Sequence, residues 1–223
     1  MKIKNFNKEY LQYLFPQRTR LTTEYALTLE SDQDKVDSAL TKMVLKDYSM
    51  IEKFLPDSVN NVLDIGCGIG LINIPVYHKY ENPHIYLLDK TELDTTKISG
   101  FNQAYKFYNS MDAAKNTLNE NGVKESNIHL YEADSHLSLY NIEFDLIYSF
   151  LSCGWHYPIS TYIGLMSKTL SPSGRLIVDI RHNTNQLEVL EEHFSLVEQI
   201  YNYAESKHTG GNIGDRYVFR KKI

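Results

Sequence analysis

From residue 60 onward, short apolar runs alternate with longer stretches of mixed polarity. The runs are NVLDIG at 61–66, HIYLLD at 84–89, IHLYEAD at 128–134, FDLIYSFL at 144–151 and GRLIVDIR at 174–181. FSLVEQIYNY at 194–203 and RYVFRKK at 216–222 complete the set. Each is short enough and rich enough in β-branched or aromatic residues to read as a strand. Between them, 71–80, 109–121, 159–170 and 183–192 read as helices. Strand alternating with helix predicts right-handed crossovers and a mostly parallel sheet. No helix separates the last two strands. Ala204, His208, Thr209, Gly210, Gly211 and Gly214 lie between them and read as a turn, which predicts a closing antiparallel hairpin.

The first 57 residues follow another pattern. Leu40, Met43, Val44, Ile51, Phe54 and Leu55 recur at helical spacing. Ser31 or Asp34 is placed to start that helix and Pro56 to end it. Two units are therefore expected: a helical cap over 1–57 and an α/β domain over 58–223. The connection from Asp89 to Ile128 is longer than one helix and two short loops require. Its surplus, about 90–108, reads as an insertion leaving the carboxyl edge of the sheet, where a lid or acceptor-contacting loop would sit.

Composition narrows the class without naming it. A chain of 223 residues, 42% hydrophobic and 23% charged, is that of an ordinary globular protein. No apolar run approaches the roughly 20 residues of a membrane span. The start, MKIKNFNKEY, lacks the apolar core of a secretory signal. Cys67 and Cys153 form neither a metal-ligand spacing nor a disulfide framework. These features lead to the expectation of a cytoplasmic protein without a membrane partner. A formal charge of -5 and a single basic cluster, Arg220 to Lys222, argue against nucleic acid as a partner. A homodimer is admitted by the composition.

Candidate chemistry begins at VLDIGCGIG, 62–70. Asp64 ends the first strand, and Gly66, Gly68 and Gly70 follow at alternate positions. Glycine allows a tight turn and close approach of backbone to a ligand. The helix after the turn would present N–H groups and its positive dipole end. A dinucleotide fingerprint would read G-x-G-x-x-G, so this G-x-G-x-G disfavours a nicotinamide oxidoreductase. Asp89 ends the second strand, where a carboxylate can accept from two ribose hydroxyls. Asp134 ends the third, before Ser135.

In this order the three motifs resemble those of class I S-adenosylmethionine-dependent methyltransferases, over about 60–180. The resemblance implies a seven-stranded, mostly parallel Rossmann-like sheet with a final antiparallel strand. It implies S-adenosylmethionine as cofactor and S-adenosylhomocysteine as product. Asp64 would then sit near the cofactor's ammonium, with Gly66, Cys67, Gly68 and Gly70 lining its methionine and ribose. Asp89 would hold the ribose hydroxyls, with Lys90 beside it. Asp134 and Ser135 would face the adenine, and Phe150 would complete the cofactor set.

The loop after the fourth strand would lie beside the sulfonium. It reads SFLSCGWHYP, 149–158, without the Asn or Asp, two prolines and an aromatic usual in members of the family that act on nucleobase or amide nitrogens. His156 has the intrinsic pKa of a general base at neutral pH. Trp155 and Tyr157, behind a flexible Gly154, offer flat surfaces for a sugar or aromatic ring. Arg181 could hold an anionic acceptor. No metal set is recognisable around Asp179 or His182. The leading expectation is methyl transfer to a hydroxyl of a small molecule or saccharide. A small-molecule N-methyltransferase and a non-catalytic cofactor-binding subunit are the alternatives.

Overall fold

The computed structural model describes residues 1–14, 32–91, 109–205 and 212–222. All but the first two residues of the insertion expected at 90–108, and most of the turn before the last strand, lie outside the described residues. The seven strands are β1 (Asn61–Ile65), β2 (His84–Asp89), β3 (Ile128–Glu132), β4 (Phe144–Ser149), β5 (Leu170–Arg181), β6 (Phe194–Glu205) and β7 (Asn212–Lys221). They form one sheet in the order β3-β2-β1-β4-β5-β7-β6. β7 runs antiparallel to both β5 and β6, while β1 to β5 pair in parallel. The last two strands are thus antiparallel neighbours, but β7 enters the sheet between β5 and β6. Gly214, placed in the turn by its composition, lies inside β7 opposite Arg181.

Alternation along each strand builds three layers. On one face Leu63, Ile65, Ile147, Val178 and Phe219 share a core with Leu165, Met166 and Leu190 of helices α4 (Ile163–Thr169) and α5 (Gln186–His193). On the other, Val62, Leu146, Ile177 and Val218 pack with α2 (Asn73–Lys79) and α3 (Met111–Glu120). The amino-terminal helix α1 spans Gln33–Ile51. Asp32, rather than Ser31 or Asp34, caps it, accepting from the N–H groups of Asp34 and Lys35. It gives way at Ile51 to a short 3-10 turn, before Pro56 is reached. Val36, Leu40 and Val44 of α1 pack with Ile3, Phe6 and Leu11 against Ile69, Leu71 and Ile74. The amino-terminal segment is therefore seated directly on the glycine turn.

The second face carries a buried ion pair near the carboxyl ends of its strands. Arg216 on β7 faces Asp179 on β5, donating from Nε to Oδ1 at 2.7 Å and from a terminal nitrogen to Oδ2 at 3.0 Å. Both side chains are 0% exposed. Burial pushes the Asp179 carboxyl up, and Arg216 pulls it back down. Asp179 Oδ2 also accepts from the Leu151 N–H at 3.0 Å, which fixes the chain just past β4. Removing one partner of such a pair leaves a buried charge uncompensated, at a cost of about 3–5 kcal/mol. We predict that Arg216→Met lowers unfolding stability by about that amount in urea titrations, and that Asp179→Leu added to it recovers most of the loss. A loss below about 1 kcal/mol, as for exposed pairs, would show that the pair carries little.

Candidate active site

The turn after β1 closes through its own backbone. Gly66 N–H donates to the Leu88 carbonyl at 2.6 Å, and Gly68 N–H to Asp89 Oδ2 at 2.7 Å. Gly66, Gly68 and Gly70 have φ of 73°, 55° and 71°, the left-handed region that disfavours side chains. At Gly66 an added Cβ would also lie 1.7 Å from Ser152 Oγ. The helix after the turn starts later than its hydrophobic pattern indicates. α2 is seven residues long, and 3-10-type bonds lead into it, Gly70 N–H to Cys67 O at 2.9 Å and Asn73 N–H to Gly70 O at 3.0 Å.

Asp64 is 2% exposed and accepts from Asn73 Nδ2 at 2.6 Å. Asn73 Oδ1 in turn accepts from the Tyr148 hydroxyl on β4. Burial drives the Asp64 pKa up to about 8, with Asp89 adding to the rise and Asn73 opposing it. Asp89 is pushed up to about 6, chiefly by burial, against the pull of the Gly68 and Lys90 N–H groups. Its Oδ1 accepts from Lys90 N–H at 2.7 Å, and the Lys90 side chain is exposed. A carboxylate offers about four lone-pair sites. With one N–H on each oxygen, Asp89 keeps capacity for a diol. Cys67 turns its Sγ to the Gly68 carbonyl at 3.4 Å, and burial followed by the charges of Asp89 and Asp64 pushes its thiol well up.

Asp64, Gly66, Cys67 and Gly70 line a hollow together with Phe150 and Leu151. Among the described residues from before the first strand, Leu14 and Asp47 also line it. Phe150 stacks on Tyr148 at 5.0 Å and lies 3.7 Å beneath the Arg216 guanidinium. A buried carboxylate whose proton a cation can displace, a second carboxylate with room for a diol, and bare glycine backbone between them fit the ammonium, ribose and chain of S-adenosylmethionine.

Other expected site residues divide sharply. Asp134 and Ser135 are exposed at the start of a 3-10 segment, Ala133–Asn141, and bond to each other at 3.2 Å. Tyr157 reaches the glycine turn: its hydroxyl is 2.7 Å from Ser152 Oγ and 3.2 Å from where a Gly66 Cβ would stand. Trp155 is 5% exposed, and its ring lies where a Cβ on Gly214 of β7 would stand, 2.1 Å away. Arg181 sits 5.8 Å from the Trp155 ring. His156 is 5% exposed; burial, then Arg181, lowers its pKa to about 4. Gly154 is a fixed turn rather than a flexible one. Its φ is 88°, its carbonyl accepts from Arg181 N–H at 3.2 Å, and a Cβ there would meet the Asp179 carbonyl at 3.0 Å. Among the described residues, no three His, Cys, Asp or Glu gather as a metal would require.

Sequence reasoning missed Asn73, Tyr148, Ser152, Asp47 and Arg216. Tyr148 and Arg216 fall in runs that read as strands, with no role of their own. The usable signal was position for Tyr148, on β4, and for Ser152, shortly after it; Asn73 opens α2, and the roles of Asp47 and Arg216 depend on packing across the chain.

The family model of the methyltransferase small domain matches residues 33–207, more than half of the chain. The chain belongs to that family, among the class I S-adenosylmethionine-dependent methyltransferases, and S-adenosylmethionine is its cofactor. No curated protein matches its sequence. Among solved structures it is similar to the N-methyltransferase NodS of Bradyrhizobium japonicum WM9 in complex with S-adenosylhomocysteine. That match has 15% identity and a TM-score of 0.54, over 89% of this chain and 98% of that one. It is also similar to the precorrin-6y C5,15-methyltransferase of Geobacter metallireducens GS-15, with 17% identity and a TM-score of 0.51, over 82% and 89% of the chains. The B. subtilis tRNA methyltransferase TrmK shares 14% identity at a TM-score of 0.52, over 79% of this chain and 66% of that one. A fold shared with a tRNA methyltransferase does not set nucleic-acid acceptors apart from small ones. No helix among the described residues is long and apolar enough to cross a membrane.

The raised Asp64 pKa makes two predictions. A carboxyl whose folded pKa lies above its unfolded value of about 3.9 stabilises the fold fully only below that value, and loses the contribution as pH rises toward 8. Asp64→Asn should therefore raise the melting temperature of the cofactor-free protein at pH 8 by a few degrees, while abolishing S-adenosylhomocysteine binding in calorimetry. In the unchanged protein, affinity for S-adenosylhomocysteine should rise by about tenfold per pH unit between pH 6 and 8, because the ammonium selects ionised Asp64. An affinity flat over that range would remove Asp64 from the ammonium site.

Proposed function

We propose that the protein methylates a small-molecule acceptor at a nitrogen. The observation that carries this reading is the character of the groups around Ser152 and Tyr157. Methyl transfer to a hydroxyl needs a base whose pKa lies near the working pH. Burial holds the Tyr157 hydroxyl well above its ordinary value and His156 down at about 4. Asp64 and Asp89 are engaged by the turn and the cofactor. A neutral amine brings its own lone pair and needs no proton removed before attack. The bound cofactor supplies an activated methyl on a sulfonium. The chain's part is alignment and exclusion of water. Ser152 and Tyr157 hydroxyls, paired over Gly66, are placed to accept from or donate to an acceptor nitrogen. Leu14 and Asp47 wall the hollow from the amino-terminal side, which favours a small acceptor over a polymer.

A second reading keeps the hydroxyl of a small molecule or saccharide as acceptor, with His156 as base and Trp155 and Arg181 in the acceptor site. The position of His156 directly after β4 favours it. Turnover with radiolabelled methyl donor over panels of amines and sugars separates the two. We expect amines to be labelled, His156→Gln to retain at least a third of the turnover, and Tyr157→Phe to lower kcat/KM by about tenfold, the worth of one hydrogen bond. A loss of about 100-fold or more in His156→Gln, with sugars labelled instead, would establish the hydroxyl reading.

A further inference from the structure

β3 stands at one edge of the sheet, paired with β2. At the amino-terminal end of that pairing two histidines meet. His84 is the first residue of β2, and His129 follows the first residue of β3. Tyr86 is the register partner of His129, and side chains two apart on a strand share a face, so His84 and His129 lie on the same side of the sheet. His84 Nδ1 is 2.9 Å from His129 Nε2, and the ring centroids are 5.2 Å apart. A hydrogen bond between two imidazoles needs a bare lone pair on one of the two nitrogens. The pair thus brings two nitrogens of metal-ligating type to one point. Tyr86 stacks on the His129 ring at 4.5 Å and is itself met edge-on by Phe144 at 5.2 Å, which steadies that ring. His84 is exposed and His129 half-buried, so the pair borders solvent.

We propose that His84 and His129 chelate a divalent first-row transition-metal ion, such as Zn²⁺, and so clamp the edge strand β3 to β2. Imidazole nitrogen suits Zn²⁺, Ni²⁺ and Cu²⁺, whereas Mg²⁺ and Ca²⁺ take oxygen. Zinc–nitrogen bonds are about 2.0–2.1 Å long, so two imidazoles on one tetrahedral ion stand about 3.3 Å apart. The 2.9 Å between the two nitrogens has to open by only about 0.4 Å, and the exposed His84 ring can turn to aim its lone pair at the ion. The hydrogen that lay between the rings moves to the donor ring's other nitrogen. Three or more His, Cys, Asp or Glu gather nowhere among the described residues, so water fills the remaining positions on the ion. The site is an open, reversible one and not a resident metal centre. His84 opens β2 and Asp89 closes it, and a rise of about 3.3 Å per residue puts the pair roughly 16 Å from the Asp89 carboxylate. The ion therefore takes no part in methyl transfer. What it changes is stability. The chelate forms only with β2 and β3 in register, and a ligand of the folded state shifts the folding equilibrium toward that state.

Calorimetry and thermal melting on the untagged full chain test it, with Zn²⁺, Ni²⁺ and Mg²⁺ as their chlorides. Zn²⁺ and Ni²⁺ should bind and raise the melting temperature by a few degrees; Mg²⁺ should do neither. His84→Gln should weaken Zn²⁺ by at least about tenfold, since loss of even an outer partner of a metal ligand costs that much. It should also remove the shift in melting temperature while keeping the cooperative melt of the unchanged protein. Zn²⁺ affinity unchanged in His84→Gln would place the ion elsewhere and overturn the proposal; so would no binding of Zn²⁺ or Ni²⁺ at millimolar concentration. Magnetic resonance on the unchanged protein decides the matter should the variant fail to fold. Of the eight histidines, His84 and His129 should be the ones whose ring signals move with Zn²⁺, and movement confined to others would overturn the proposal. Neither cofactor nor methyl acceptor enters these measurements, so their outcome is independent of the methyl-transfer reading.

Discussion

The hydrogen bond from Gly68 N–H to Asp89 holds the site together. It ties the loop after one strand to the last residue of its neighbour, and it does so with a carboxylate that keeps capacity for a diol. The turn cannot relax without moving the carboxylate, and the carboxylate cannot move without opening the turn. The companion bond from Gly66 N–H to the Leu88 carbonyl makes the junction two-pointed. Positive φ at three alternate glycines is the backbone cost of that junction. The Asp64–Asn73–Tyr148 chain extends it across β1 to β4. Four elements thus share one network of short hydrogen bonds, and the cofactor hollow is the space the network leaves.

The fold was legible in the sequence because the signals that specify it are local. HIYLLD matches β2 residue for residue, and the other strands differ at their ends, where twist and bulges replace periodicity. The glycine turn was legible for the same reason: its residues are consecutive and their spacing is dictated by backbone geometry. The place of the last strand was not legible, since nothing in RYVFRKK shows that it enters between β5 and β6. Boundaries failed where a side chain overrode the pattern. Asp32 caps α1 ahead of the hydrophobic repeat, and Asn73 delays α2 by binding the Gly70 carbonyl through its side chain at 3.1 Å.

The loop after β4 was least legible. Trp155, His156 and Tyr157 are consecutive and chemically attractive, yet they face different surroundings. Their fates are set by partners far along the chain: Trp155 by Gly214, His156 by burial near Arg181, and Tyr157 by Gly66. A sequence shows residue types at a loop but not which of them turns inward. The Asp179–Arg216 pair was opaque for the same reason. Each half looked like an ordinary end-of-strand charge, and only the register of β5 with β7 joins them.

Gly214 and Arg216 have a consequence for the order in which the protein can be made. β7 is the last of the seven strands to be synthesised, yet it lies inside the sheet and keys both the Trp155 ring and the Asp179 carboxylate. A nascent chain that has emerged only as far as β6 holds the whole glycine turn, Asp89 and the loop after β4, but lacks the strand against which the Trp155 ring packs. Until residues 212–221 have joined the sheet, the Trp155 ring and the Asp179 carboxylate therefore lack the partners that β7 brings.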